Sequence, residues 1–245
     1  MPVFKKVDSL ISKIKLKFKP AISFSLSEEK IKSYLSSFIG DGEGYTPKGF
    51  TPPENMKLIL QINFEEMPKL EGYPEEGILQ VWCSGSEMFY RNKDNEGKVI
   101  FHKDTKLPQQ KIEIKNKDLI EDPFYLEKPL SIIFNQKVNI TPSLFTNDFE
   151  QFEEELNKFE EDEDTDAEDY FYEKYEEIEN PPHYIGGFPY FTQHDVREEG
   201  EITILQLGYC DHLCIGDAGS FQIVIPEEDF KNLNFDNAFC NWDCH

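Results

Sequence analysis

Apolar and polar residues alternate along several short stretches of the chain, and this period of two predicts β-strands. The clearest stretches cover residues 58–64 and 77–83, and both contain a glutamine between apolar neighbours. Further strands are predicted at 99–102, 111–115, 131–134, 202–207 and 221–225. Because the segments between them have the length of turns, the pattern predicts antiparallel pairing rather than parallel strands joined by helices.

The N-terminal segment contains an apolar stripe at helical spacing among six lysines. The stripe consists of Phe4, Val7, Ile11, Ile14 and Phe18. We therefore predict a basic amphipathic helix at residues 1–24. Such a helix can lie on a membrane surface. A stripe with this period more often packs on the helix's own protein, and we favour that interpretation.

Two more helices are predicted from their start signals. Ser25 and Glu28 have the spacing of a capping box, so we predict a helix that begins there and ends near Gly40. A short helix is predicted at 226–233, where a proline and three acidic residues occupy the first turn. Both helices are expected to flank the sheet.

The central part of the chain is strongly acidic. A capping-box pattern at positions 147 and 150 predicts a helix at 149–159 with an aromatic face. The acidic run at 160–169 has little to bury and is predicted to be a solvated loop or linker. Residues 1–20 carry six lysines against one aspartate, so we expect this basic segment to neutralise part of the acidic one.

The chain has a formal net charge of −23, which opposes binding to nucleic acids and anionic lipids and favours basic partners. We predict a basic protein as the partner of the acidic segment. The residues predicted to bind it are Glu153, Glu154, Glu155, Glu160, Glu161, Asp162, Glu163 and Asp164. The alternative is that these carboxylates form a solvated linker and only keep the protein in solution.

The cellular location is predicted from hydropathy and cysteine content. No stretch reaches the roughly 18–20 apolar residues of a transmembrane helix, and the N-terminal segment lacks the unbroken apolar core of a signal peptide. Five cysteines, an odd number, suggest thiols that stay reduced. We therefore predict a cytoplasmic protein.

Two regions of the strand pattern resemble each other and indicate an internal duplication. The matching segments are 44–47 with 187–190, 59–62 with 204–207, and 77–81 with 219–223. The sequence therefore predicts an α+β fold with an internally duplicated, mainly antiparallel β-sheet and a few flanking helices. The predicted units are the N-terminal helix at 1–24, the first half at 25–146, the acidic connection at 147–182 and the second half at 183–245.

Polar side chains on the duplicated strands and near residue 242 are candidates for a ligand pocket between the two halves. They are Gln61, Gln80, Gln206, Asp217, Gln222, Asn241, Trp242 and Asp243. The alternative, which we favour, is structural. In that interpretation the aspartate stabilises a turn, and glutamines on a strand face solvent.

Four cysteines in the C-terminal region raise the question of a metal. Cys210 and Cys214 are four positions apart, as are Cys240 and Cys244, and zinc prefers thiolate and imidazole ligands. The usual zinc pairing is tighter, with two residues between the cysteines, and cysteines are often buried for packing alone. We therefore expect no cofactor, with zinc at these four residues as the alternative.

Six segments resemble signatures of the YwqG-like family of bacterial proteins. They are LQINFEEMP at 60–68, YPEEGILQ at 73–80, IGGFPYFTQ at 185–193, LQL at 205–207, GDAG at 216–219 and NWDC at 241–244. The resemblance covers about residues 25–245. This chain has Gly208-Tyr209 where the family has Asp-Ser, and Cys214-Ile215 where the family has a tryptophan before Gly-Asp. The family's function is unknown, so the resemblance implies no catalytic residues, and it permits an immunity role beside a toxin.

The sequence as a whole favours a binding protein that is not an enzyme. We predict no catalytic residues, because no hydrolase signature and no phosphate-binding glycine loop is present. A nucleophilic cysteine would need a histidine as its base. The candidate histidines are His183, His194 and His212. The predicted function is an immunity-type neutraliser of a basic toxin or another cationic protein, and the alternatives are a metal- or small-ligand-binding protein or an enzyme.

Overall fold

The computed structural model describes residues 2–29, 35–42, 44–85, 96–112, 114, 120–144, 146–161 and 165–245. The helices are α1 (Pro2–Leu16), α2 (Glu150–Glu161), α3 (Thr165–Glu176) and α4 (Glu227–Lys231). The strands are β1 (Lys19–Ser27), β2 (Phe38–Gly42), β3 (Tyr45–Pro47), β4 (Lys57–Asn63), β5 (Ile78–Cys83), β6 (Gly97–His102), β7 (Gln109–Lys111), β8 (Phe124–Tyr125), β9 (Leu130–Ile140), β10 (Tyr184–Gly186), β11 (Glu201–Leu207), β12 (Cys214–Ile215), β13 (Ser220–Pro226) and β14 (Phe239–Asp243).

Ten of these strands form one antiparallel sheet in the order β14-β13-β11-β10-β1-β9-β2-β4-β5-β6. The outer strands β14 and β6 contact each other, so the sheet curls back on itself. The remaining strands form two small pairs, β12 with β8 and β3 with β7. The predicted α+β fold with a mainly antiparallel sheet is therefore confirmed.

The strand order is pseudo-symmetric about the centre of the sheet. Strands β2-β4-β5-β6 run outward on one side, and β10-β11-β13-β14 run outward on the other. The two central strands β1 and β9 pair with each other, and β1 also pairs with β10 of the second half, whereas β9 pairs with β2 of the first half. The predicted duplication stays a prediction, and this order agrees with it.

The apolar core has two main parts. The larger one is shared by both ends of the sheet and contains Ile62, Leu79, Leu205 and Ile223. A smaller cluster holds α1, α2 and α3 together and forms a separate helical layer. This second core fixes the position of α3, which borders the pocket described below.

Helix α1 packs on its own protein, as the favoured interpretation of its apolar stripe predicted. Leu10 and Ile14 are fully buried in the helical layer. Lys13 Nζ lies 2.5 Å from Glu155 Oε1 on α2, so basic and acidic segments neutralise each other in part. Across the described ranges, no helix is both long and apolar enough to cross a membrane.

Two helix predictions near the N-terminus are wrong, one in where the helix ends and one in the type of element. Helix α1 ends at Leu16 rather than at residue 24, because the chain enters β1 at Lys19. The helix predicted from Ser25 is also wrong, since Ser25 pairs with Ile133 of β9 and Gly40 lies in β2. Residues 30–34 of that predicted helix lie outside the described residues. Strand pairing along β9 outweighs the local capping signal.

The acidic run is not the loop that its composition predicted. Helix α2 extends to Glu161, and α3 begins at Thr165; residues 162–164 are outside the described ranges. Ala167 and Phe171 of α3 are fully buried in the helical layer. These two side chains are four residues apart and lie on one face of α3, and their burial against α1 stabilises the helix despite its charge. Of the strand predicted at 111–115, Lys111 lies in β7 and Ile112 and Ile114 lie outside a strand, while residues 113 and 115 are outside the described residues.

Candidate ligand-binding site

Glutamines on the duplicated strands are buried rather than solvent-facing. Gln61 pairs with Gln80 across β4 and β5, and Gln206 pairs with Gln222 across β11 and β13. Each of the four is at most 1% exposed. The interpretation that they face solvent is therefore wrong. A buried amide is tolerated only when its hydrogen bonds are made inside the protein, so their partners are informative.

In the first half, these amides hold the segment around Tyr45. Gln80 Nε2 donates to Gln61 Oε1 and to the carbonyl oxygen of Tyr45, both at 2.8 Å. His102 Nε2 lies 2.9 Å from Gln80 Oε1. Burial lowers the pKa of His102 to about 4, so its ring is neutral at pH 7 and donates from Nε2 to that oxygen.

In the second half, an equivalent network holds Tyr190. Gln222 Nε2 donates to the carbonyl oxygen of Tyr190 at 2.7 Å, and Asn241 Nδ2 donates to Gln222 Oε1 at 2.8 Å. The backbone N–H of Tyr190 donates to Gln206 Oε1 at 3.1 Å. Tyr45 is the second residue of segment 44–47 and Tyr190 the fourth of 187–190, so a glutamine–carbonyl contact occurs in both matching segments but at different positions.

Asp243 fixes the residues that follow Tyr190. Its Oδ2 accepts hydrogen bonds from the backbone N–H groups of Thr192, at 2.9 Å, and Gln193, at 3.0 Å. Its Oδ1 accepts a hydrogen bond from the Ser220 hydroxyl at 2.7 Å. Residues 190–193 are thus held by buried polar side chains, and we call this segment the pinned loop.

The pinned loop forms one wall of a cavity of about 550 Å3. The opposite side comes from α3 and the segment after it, and the cavity is rich in tyrosine. Its tyrosines are Tyr172, Tyr175, Tyr184, Tyr190 and Tyr209. Pro181, Pro182, Ile178 and Gln206 also line it. We call this cavity the tyrosine pocket.

The tyrosines of the pocket have different roles. Tyr184 is buried and donates to the carbonyl oxygen of Phe188 at 2.7 Å, and Tyr175 donates to the carbonyl oxygen of Pro142 at 3.0 Å. Tyr190 and Tyr209 are 41% and 52% exposed, so their rings are accessible. Burial raises the pKa of Tyr175, and burial together with the Asp243 carboxylate raises that of Tyr190. Both phenols are therefore neutral at pH 7.

The predicted ligand residues thus fall into three groups. Gln206, Gln222, Asn241 and Asp243 come together behind the pinned loop, and of these Gln206 lines the pocket itself. Gln61 and Gln80 belong to the network of the other half. Asp217 is exposed, and Trp242 is half-buried beside Gly216. The pocket lies between the second half and the helical layer rather than between the two halves.

Sequence reasoning missed the tyrosines because no spacing connects them. They come from α3, β10, the pinned loop and the segment after β11. A partial signal was the match of segments 44–47 and 187–190, which includes Tyr190, the first residue of the pinned loop.

The predicted zinc ligands do not form a metal-binding group in the described structure. Where the chain is described, no three side chains of His, Cys, Asp or Glu are placed to hold a metal ion. Cys240 is fully buried, and burial raises its pKa. Cys210 and Cys214 instead line a second cavity of about 320 Å3, together with His212. Zinc stays a prediction without geometric support.

The three candidate histidines occupy different surroundings. His183 is buried and stacks on Phe24, with ring centroids 5.6 Å apart, and burial lowers its pKa to about 4. Its Nδ1 accepts a hydrogen bond from the Gly208 N–H at 3.3 Å. His194 is exposed, and His212 lies 3.6 Å from Glu28. No hydrogen bond between described residues joins any of the three to a cysteine.

The predicted partner-binding residues are only partly available. Glu153 and Glu154 are exposed on α2, whereas Glu155 pairs with Lys13. Glu160 and Glu161 end the same helix, and Asp162, Glu163 and Asp164 lie outside the described residues. The aromatic face of α2 is buried in the helical layer, so it does not adjoin the exposed carboxylates as a docking surface.

The fold and the pocket define a protein with a curled antiparallel sheet, a helical layer and an aromatic cavity between them. Residues 37–244 match the family model of a domain of unknown function, DUF1963, and the chain belongs to this family. Helix α1 lies outside the matched range. No curated protein matches the chain.

Proposed function

We propose that this protein binds a small molecule in the tyrosine pocket. The observation that carries the proposal is the fixed wall of the cavity, in which four buried polar side chains hold the pinned loop. Burying polar groups is costly, and the hydrogen bonds of these four side chains make the arrangement rigid. Because this wall is already rigid and presents an aromatic ring, less conformational entropy is lost when a ligand binds.

The size and surface of the pocket suit a ligand of low molecular mass. A volume of about 550 Å3 lies within the range of small-molecule sites, which are mostly apolar with a few polar groups. Tyr190 and Tyr209 offer accessible rings on which a ligand can stack.

The proposal is tested by ligand-detected NMR with a library of small planar fragments. We expect Tyr190→Ala and Tyr209→Ala each to weaken fragment binding about tenfold, because each removes an accessible ring. Tyr125→Ala is the matched control, since Tyr125 is 66% exposed and lies outside the tyrosine pocket. Fragments that bind the wild type and both pocket variants equally would contradict the proposal.

A second candidate function is binding of a basic protein. It is favoured by the exposed carboxylates on α2 and α3, which are Glu150, Glu153, Glu154, Asp166, Asp169, Glu173 and Glu176. Such a surface speeds association with a cationic partner. The YwqG-like resemblance permits an immunity-type form of this role. A pull-down at low and high salt tests it, and an E153Q/E154Q variant that retains the same partner would count against it.

A further inference from the structure

The charged groups around the tyrosine pocket are mainly acidic. Among its lining residues, all of which are described, there is no lysine or arginine. Glu176, the last residue of α3, lies at the pocket and is exposed. The Asp243 carboxylate lies behind the pinned loop, and the whole chain carries a net charge of −23. These negative charges favour a cationic ligand in the pocket, whose lining also includes His245.

The aromatic walls add to this preference. The face of a phenol ring carries negative electrostatic potential and attracts cations within about 6 Å of its centre. The same type of contact occurs elsewhere in this chain, where Lys174 Nζ lies 5.6 Å from the ring centroid of Tyr170. In the pocket, the rings of Tyr190 and Tyr209 are accessible, and the lining residues include no lysine or arginine that could occupy them.

We propose that the ligand of the tyrosine pocket is an organic cation, with a quaternary ammonium group or an N-alkylated ring. This inference rests on the proposed function. The cation stacks among the tyrosine rings, and the Glu176 carboxylate faces its charge. A phosphate or carboxylate ligand would find no lysine or arginine among the residues that line the cavity. The volume of about 550 Å3 leaves room for a ring-bearing cation.

Two pairs of probes test the effect of charge. The members of each pair are similar in shape, and one is a cation whereas the other is neutral. The first pair is 1-methylnicotinamide, a cation, and neutral nicotinamide. The second is choline and its uncharged carbon analogue 3,3-dimethylbutan-1-ol. Affinities are measured by NMR titration at low and high salt. We expect each cation to bind roughly tenfold more tightly than its neutral partner, because the rings and the carboxylate act only on the charge.

Variants then assign the effect to the pocket. We expect Glu176→Gln to weaken 1-methylnicotinamide roughly threefold at low salt and to leave nicotinamide unchanged. Glu173→Gln is the matched control, since Glu173 is exposed on the same helix and does not line the cavity. Tyr190→Ala should weaken both members of each pair.

The outcomes distinguish this inference from the proposed function. Equal affinity for the charged and neutral members, with loss in Tyr190→Ala, would overturn the cation inference and leave the proposed function standing. Tighter binding of an anion such as benzoate would do the same. Absence of binding by all four probes and by the fragment library would overturn both.

Discussion

The buried amide Gln222 offers a test of how the pinned loop is held. Gln222 is fully buried, and replacing it with methionine keeps its volume while removing its hydrogen bonds. The change leaves Asn241 Nδ2 without its acceptor and removes the shorter of two hydrogen bonds to the Tyr190 carbonyl oxygen, which keeps only the Ser220 hydroxyl at 3.4 Å. Each unpaired buried group costs about 1–3 kcal/mol. We therefore expect Gln222→Met to lower the free energy of unfolding by about 2–5 kcal/mol.

The matched control is Gln80→Met in the other half of the sheet. Gln80 is 1% exposed and also holds a backbone carbonyl, that of Tyr45. We expect a similar loss of stability in urea unfolding, but no change in fragment binding at the tyrosine pocket, because the Tyr45 segment does not line it. Only Gln222→Met should weaken fragment binding. A stability loss below about 1 kcal/mol in Gln222→Met, or equal weakening of binding by both variants, would refute the reasoning.

Two further predictions concern buried charge and pH. Arg197 pairs with Asp195 at 2.5 Å and with Asp148 at 2.6 Å. We expect Arg197→Met to lower the free energy of unfolding by about 3–5 kcal/mol, because the buried Asp195 carboxylate loses its cationic partner, whereas Asp148 keeps Lys19 Nζ at 3.7 Å. A loss below about 1 kcal/mol in urea unfolding would contradict this. Burial lowers the pKa of His183 to about 4 from 6.5, so the unfolded chain binds the proton first as pH falls. We therefore expect this group to lower the free energy of unfolding by up to about 3 kcal/mol as the pH falls from 6.5 to 4. His183→Asn should reduce that loss, because the asparagine oxygen does not titrate and can accept the Gly208 N–H in place of Nδ1. An unchanged pH dependence of urea unfolding in this variant would argue against the assignment.

Local patterns predicted most of the regular elements correctly. The alternation at 58–64 appears as β4, and the apolar stripe at 4–14 appears as α1. The helix predicted at 25–40 is wrong at the described residues 25–29 and 35–40, although Phe24 and Leu26 alternate with serines in the period of a strand. The capping signal there was compatible with a helix, and the pairing with β9 decided the outcome.

The residues of the pocket illustrate what local patterns do not contain. The matching strands make Gln206 and Gln222 candidates. Their burial and their contacts with Tyr190, however, depend on the pinned loop. Tyr172 and Tyr209 gave no signal in the sequence. They line one cavity because the helical layer holds α3 beside the segment that follows β11.

The sequence by itself determined the period of each element, the antiparallel class of the sheet and the opposite charges of α1 and α2. These properties follow from neighbours within a few residues, and such neighbours are fixed by covalent geometry. Only the tertiary structure decided which half each central strand joins, which glutamine bonds to which loop, and which tyrosines form a cavity. Those arrangements depend on contacts between residues far apart in the chain, whose free energy is gained only when the sheet and the helical layer have assembled.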